Sequence, residues 1–243
     1  MDKKGQVAIY LIIGIIVLAS VIIFVSLKSD LIKSLFGNVA AQTEIIPQQF
    51  KPINDYIDSC FKLSSEMGIY EVARKGGYYK VPTNSSIIWF TEEVPYYYLA
   101  NSVVHLELKD IEKSISSQIE QNIKTCLNFT EYTNGGFSIV TKNPKITTKI
   151  DNKTINMQMV YDASMSKQNI TFKTSKFNLI LNSNFKLMYE AANEFLDSYL
   201  KKPGFICLTC IDYISNITNV SIDIIPHNDP TVFKSNIMWV LID

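Results

Sequence analysis

The chain has 243 residues, and its 23 Lys and Arg are balanced by 23 Asp and Glu, so it carries no formal net charge. That balance argues against a nucleic-acid binder, which needs a basic face to displace the counterions of phosphates. The length fits one membrane anchor plus one domain large enough to bury a core without help from metal or disulfides.

No residue from Val7 to Leu27 is charged, and nearly all are Ile, Leu, Val, Ala or Phe. About 20 such residues in a helix rise roughly 30 Å, the thickness of a bilayer's hydrocarbon core. Lys3 and Lys4 flank one end, and the positive-inside bias keeps that end cytoplasmic while the rest goes outside. A cleaved secretory signal has a shorter apolar core with a small-x-small site close behind it. The nearest candidate, Val39-Ala40-Ala41, lies well past Leu27. The expected organisation is therefore a cytoplasmic tip and transmembrane anchor over 1–28, a helical linker over 29–50, and an extracytoplasmic domain over 51–243.

The domain begins with a helix in which Ile53, Tyr56, Ile57, Cys60, Leu63, Met67, Tyr70 and Ala73 recur at three- and four-residue steps. Arg74-Lys75 followed by Gly76-Gly77 is a stop signal. The stretches "GGYYKVP" and "SSIIWFTEEVPYYYLAN" favour strands by aromatic and β-branched content. A second helix runs from Glu107 to Cys126, with Leu108, Ile111, Ile115, Ile119 and Ile123 as its stripe and Lys109, Glu112, Lys113 and Glu120 opposite.

From Phe137 to Leu181 the apolar period becomes two, which predicts successive antiparallel strands separated at Asn143-Pro144, Asp151-Asn152 and Lys167-Gln168. A third helix, Asn184 to Lys201, can cover that sheet through Leu187, Met188, Ala191, Phe195, Leu196 and Tyr199. Pro203-Gly204 ends it. Two alternating strands follow at Val220–Ile225 and Phe233–Leu241, and the sequence stops in strand pattern, as a truncated chain would. The fold class expected is α+β: a transmembrane helix, then an antiparallel sheet packed with about three helices.

The four cysteines are Cys60, Cys126, Cys207 and Cys210. An even number on an outward-facing domain predicts structural disulfides, and helix packing can bring Cys60 to Cys126. Cys207-Leu208-Thr209-Cys210 can close on itself, act as a redox pair, or supply half a zinc site. Against zinc, Cys60 and Cys126 do not form a second CxxC. Against thioredoxin-like chemistry, a helix and Pro-Gly precede the motif instead of a buried strand.

His105 and His227 both fall in turns, and neither has paired-His, HExxH or GxSxG context. Asp212, Asp223 and Asp229 lack calcium-loop spacing. No catalytic constellation and no cofactor is expected, so the chain reads as a non-enzyme. An envelope enzyme would gain support if His105, Asp223 and His227 met in one cleft.

Trp89, Tyr96, Tyr97 and Tyr98 are the candidate recognition surface, since exposed rings suit carbohydrate or protein contact. The competing reading, that the domain's helices cover these rings, is the expectation. Glycosylation sequons stand at Asn84, Asn128, Asn152, Asn169, Asn216 and Asn219, mostly in turns or at strand edges.

Two resemblances bear on function. Lys4-Gly5-Gln6 before the apolar run resembles the archaeal pilin-type leader, which implies cleavage between Gly5 and Gln6. Tyr10 stands where those pilins usually carry a Glu that pairs with a neighbour's amino terminus. More broadly, "KKGQVAIYLIIGII", "YIDSCFKLSSEMGIYEVARKGGYYKVP", "VPYYYLAN", "IEKSISSQIEQNIKTCLN" and "FICLTC" together resemble uncharacterised membrane-anchored surface proteins of DPANN-type archaea. That resemblance implies a single N-terminal helix carrying an exported α+β domain, commonly continuing past the equivalent of Asp243, and it implies no catalytic residue. The expected partners are the lipid bilayer, through Val7–Leu27, and other envelope or surface proteins, with self-association as one form of this. No nucleic acid is expected.

Overall fold

The computed structural model describes residues 46–89, 92–99, 102–202, 207–218, 221–224 and 239–242. The apolar run Val7–Leu27, the Gly5–Gln6 bond, Asn219 and His227 lie outside the described residues. Among the described residues no helix is long and apolar enough to cross a membrane. The compact unit described below begins at Pro47.

A 3-10 turn, Gln48–Phe50, leads into helix α1, Lys51–Arg74, with Pro52 in its first turn where a missing N–H is harmless. The predicted stop holds. The Gly76 N–H reaches Ala73 O at 3.0 Å and the Gly77 N–H reaches Val72 O at 2.9 Å. Gly76 stands at φ 60°, so the two glycines close a Schellman motif.

The buried face of α1 differs from the predicted stripe. Ile53, Ile57 and Cys60 are buried as expected, but the face continues through Phe61, Ser64, Ser65, Gly68 and Val72. Leu63, Met67 and Tyr70 are 53%, 47% and 61% exposed. The reason is the neighbouring helix α2, Leu108–Cys126, which comes close enough to require small residues. A Cβ built on Gly68 would sit 2.8 Å from Ile119 Cγ1, so larger side chains are turned away from the contact. Cys60 meets Cys126, Gly68 meets Ile119 and Gly77 meets Ile111, so the helices run antiparallel.

Between them, "GGYYKVP" is irregular, contrary to expectation. Tyr78 and Tyr79 are held by side-chain bonds instead of a ladder: Tyr78 OH donates to Val104 O at 2.7 Å, and Tyr79 OH donates to Gln121 Oε1. The next stretch forms two small hairpins, β1 (Ser86–Trp89) with β2 (Glu92–Pro95), and β3 (Tyr98–Leu99) with β4 (Ser102–Val103).

Helix α2 buries Ile111, Ile115, Ile119 and Ile123 as predicted. A short helix α3, Thr130–Asn134, follows. The main sheet comprises β5 (Ser138–Thr141), β6 (Lys145–Ile150), β7 (Thr154–Lys167) and β8 (Ile170–Asn182). All pairings are antiparallel, but β5 and β6 do not pair with each other. β6 pairs with the first half of β7 and β5 with its last part, so both lie along one side of β7, with β8 on the other. Asn143-Pro144 is thus not a hairpin turn. The chain keeps running beside β7, where the Lys142 N–H reaches Asp162 O at 3.0 Å, opposite a bulge between Val160 and Ala163. One face of the sheet is buried through Ile146, Ile150, Ile155, Met157, Met159, Tyr161, Met165, Phe172 and Phe177. Phe50 stacks on Phe172 at 5.9 Å, which ties the start of α1 to that face.

Glu112 and Glu120, expected to face solvent, instead serve the edge of the sheet. Glu112 Oε1 accepts the Ile150 N–H at 2.8 Å, Ser116 Oγ the Thr148 N–H at 3.0 Å, and Glu120 Oε1 the Ile146 N–H at 2.8 Å. The spacing explains the match. Four residues of helix rise about 6 Å, and two residues of strand span about 6.6 Å. Every outward N–H of β6 at these positions thereby finds an acceptor, so the edge is closed to another strand.

Helix α4, Phe185–Lys201, does not use its stripe as predicted either. Ala191, Phe195, Leu196 and Tyr199 form a buried cluster with Ile211 and Ile214. Those two belong to a fifth helix, α5, Leu208–Thr218, which the periodicity reading passed over. It supplies the partner surface that the sheet was expected to provide. Strands β9 (Ser221–Ile224) and β10 (Trp239–Ile242) pair antiparallel. The fold class is therefore α+β with antiparallel sheets, and its described helices number more than the expected three.

Candidate functional site

All four cysteines are paired, as the predicted disulfides require. Cys60 bonds Cys126 with Cα atoms 5.7 Å apart, and Cys207 bonds Cys210 with Cα atoms 5.2 Å apart. With the sulfurs joined, no thiolate set remains for a zinc ion. Among the described residues no group of three His, Cys, Asp or Glu could hold a metal.

The two bridges sit in different surroundings. Cys60 is 2% exposed and meets Cys126 at one end of the α1–α2 contact. Tyr56 locks the end of α2 beside it: its hydroxyl donates to Cys126 O at 2.6 Å and accepts the Asn128 N–H at 3.0 Å. The Cys207–Cys210 bridge stands at the start of α5. Cys207 is the N-cap, its carbonyl accepting the Ile211 N–H at 3.1 Å and its sulfur the Cys210 N–H at 3.2 Å. Thioredoxin-like chemistry calls for a buried strand before such a motif, and among the described residues none directly precedes this one. A helix does begin at the motif, although α4 and not a strand comes before.

Of the aromatic candidates, the described side chains, Tyr96 and Tyr97, are both partly buried. Tyr97 packs against the α4–α5 cluster. Its hydroxyl lies 3.4 Å from Gly76 O, and burial, followed by the nearby Tyr78 and Tyr189, pushes its pKa up to about 12. Tyr96 is half-buried. The strand positions of Trp89 and Tyr98 are described but their side chains are not.

His105 lies between Tyr97 and Tyr189, with ring centroids at 5.9 and 6.3 Å, and its Nδ1 is 3.0 Å from Leu106 O. It is packed between these two tyrosines, and Asp212 is exposed on α5. Asp223 lies on β9, its side chain outside the description, and His227 and Asp229 lie outside the described residues.

Asn84, Asn128, Asn152, Asn169 and Asn216 are all exposed. Asn128 already forms a turn with its own sequon, its Oδ1 accepting Thr130 Oγ1 at 2.6 Å and the Thr130 N–H at 3.0 Å. Asn84 holds φ 68°, a left-handed conformation that Asn tolerates better than most residues.

Sequence reasoning missed the helix start at Cys207 and the acceptor row Glu112–Ser116–Glu120. The signal for the second was present: three polar acceptors at four-residue steps, one position along from the buried isoleucines. No family model matches this chain, and no curated protein or solved structure does so either.

Proposed function

We propose that the chain is a membrane-anchored protein of the cell surface or envelope, not an enzyme, with a structural or interaction role. Val7–Leu27 crosses the bilayer with Lys3 and Lys4 on the cytoplasmic side, the segment to residue 50 is the linker, and the α+β domain faces outward. Its partners are the bilayer and other surface proteins, itself included.

The observation that carries this reading is the pairing of all four cysteines in a chain with an uncharged apolar run of bilayer length. Disulfides persist outside the reducing cytosol. Five exposed sequon asparagines, and the resemblance to anchored archaeal surface proteins, support the same location. Lys4-Gly5-Gln6 supports a second reading, a pilin-like subunit cleaved between Gly5 and Gln6.

Intact native cells treated with a membrane-impermeant amine reagent should label lysines of residues 51–243, and the chain should stay with membranes through carbonate extraction. Labelling only after lysis would defeat the surface reading. The mass of the N-terminal peptide separates the two forms: a peptide that keeps Met1–Gly5 defeats the pilin-like one.

A further inference from the structure

We propose that Cys207–Cys210 is an exchangeable disulfide, a site that takes thiol-bearing ligands and oxidises them, with Cys207 as the sulfur attacked. This reaches beyond the anchoring role and does not depend on it.

The two sulfurs are unequal. Cys207 Sγ caps α5 and accepts the Cys210 N–H at 3.2 Å. A disulfide sulfur carries no proton, so Thr209 Oγ1, 3.5 Å away, is the donor in that contact. When the second step releases Cys207 as a thiolate, the same donors and the positive end of the helix face its charge. Cys210 lies on the other side, with Ser198 Oγ of α4 3.7 Å from its sulfur. The bridge joins residues 3 apart, so its opening separates no two elements of the fold. Leu208, between the cysteines, is 63% exposed and offers a ligand apolar contact beside the sulfurs.

The exchange balances as follows. A ligand thiolate attacks Cys207 Sγ, and a ligand–Cys207 bond forms as the Cys207–Cys210 bond breaks. The electron pair leaves on Cys210, which takes a proton from water. A second ligand thiolate then attacks the ligand sulfur of the mixed disulfide, and Cys207 departs as the thiolate held by the helix. Two electrons pass from the ligand dithiol to the chain, one equivalent per chain.

The test uses the full chain in detergent, exposed to graded reduced glutathione or to a peptide carrying two cysteines, with thiols trapped by alkylation and located by mass. Cys207–Cys210 should open at roughly tenfold less thiol than Cys60–Cys126, because both its cysteines are half-buried whereas Cys60 is buried, and a more accessible bridge exchanges more readily. Bridges that open together, or Cys60–Cys126 opening first, would overturn the proposal. Opening by both reagents assigns small thiols as ligands, and opening by the peptide alone assigns cysteinyl polypeptides. Opening by neither also overturns the proposal. For the order of attack, each single variant is exposed to oxidised glutathione: in Cys210→Ser the Cys207 thiolate should displace one glutathione thiolate and hold the other glutathione as a mixed disulfide, while Cys207→Ser captures roughly tenfold less on Cys210. Equal or reversed capture overturns the assignment to Cys207. An intact Cys60–Cys126 bridge and unchanged circular dichroism in both variants exclude misfolding as the cause.

Discussion

Between α1 and α2 a covalent bond joins residues 66 apart, whereas the bond at the start of α5 joins residues 3 apart. The first pair of helices is also pinned to the sheet, since Glu112, Ser116 and Glu120 of α2 bond the edge of β6. The second pair, α4 and α5, packs through buried side chains, among them Phe195, Leu196, Tyr199, Ile211 and Ile214, with Ser198 Oγ of α4 also 3.7 Å from Cys210 Sγ. The same bond chemistry therefore does different work in the two places. One bridge restricts the unfolded chain and fixes how two helices meet. The other crosslinks no two elements of the fold, which leaves it free to react.

That contrast predicts unequal losses when the bridges are removed. Closing a loop of 66 residues stabilises by about 4 kcal/mol in the chain-entropy model, and closing one of three or four residues by about 2 kcal/mol. Replacing Cys60 and Cys126 together by Ala should lower the urea midpoint about twice as much as replacing Cys207 and Cys210 by Ser. Equal losses would break the comparison, because the short bridge would then also be holding tertiary structure.

The next effect concerns the other restraint on α2. Replacing both Glu112 and Glu120 by Ala leaves two N–H groups of β6 without acceptors. Hydrogen bonds to charged groups are worth about 1.5–3 kcal/mol each, and partial solvation brings the expected loss for the pair to about 3 kcal/mol. Gln at both positions keeps a neutral acceptor and should recover part of it. The Ala variant should also self-associate in sedimentation, because an open strand edge templates pairing. Full stability in the Ala variant would remove the sheet edge from the account of why the two helix pairs differ.

How far the sequence revealed this contrast depends on the kind of signal. Periodicity found α1, α2, α4 and the strands, because apolar residues at three- and four-residue or alternating steps report burial directly. It misread the partners of those elements. Leu63, Met67 and Tyr70 look like core on α1, yet the close contact with Ile119 selected Ser64, Ser65 and Gly68 instead. Glu112 and Glu120 look like a solvent face because charge hides a structural acceptor. Helix α5 was overlooked because "CLTCIDYISNIT" is short, lacks basic residues and reads as a redox or zinc motif first. The cysteines were legible as disulfides, but the unequal settings of the two bridges follow only from three-dimensional packing.

Tyr97 gives the mildest test, and it reads the α4–α5 side. Its phenol packs against that cluster, and burial first, then Tyr78 and Tyr189, raise its pKa from 10 to about 12. The sign follows from linkage. Between pH 10 and about 12 the unfolded chain releases this proton while the folded chain keeps it, so stability falls as pH rises through that window. The loss approaches about 2 kcal/mol by the upper end and is absent at neutral pH. Tyr97→Phe cannot ionise and should show a shallower alkaline decline in urea midpoint than the parent. At pH 7 it should cost no more than about 1 kcal/mol, since the contact with Gly76 O at 3.4 Å is long. If parent and variant decline in parallel, the Tyr97 phenol is not shielded from solvent by the α4–α5 side.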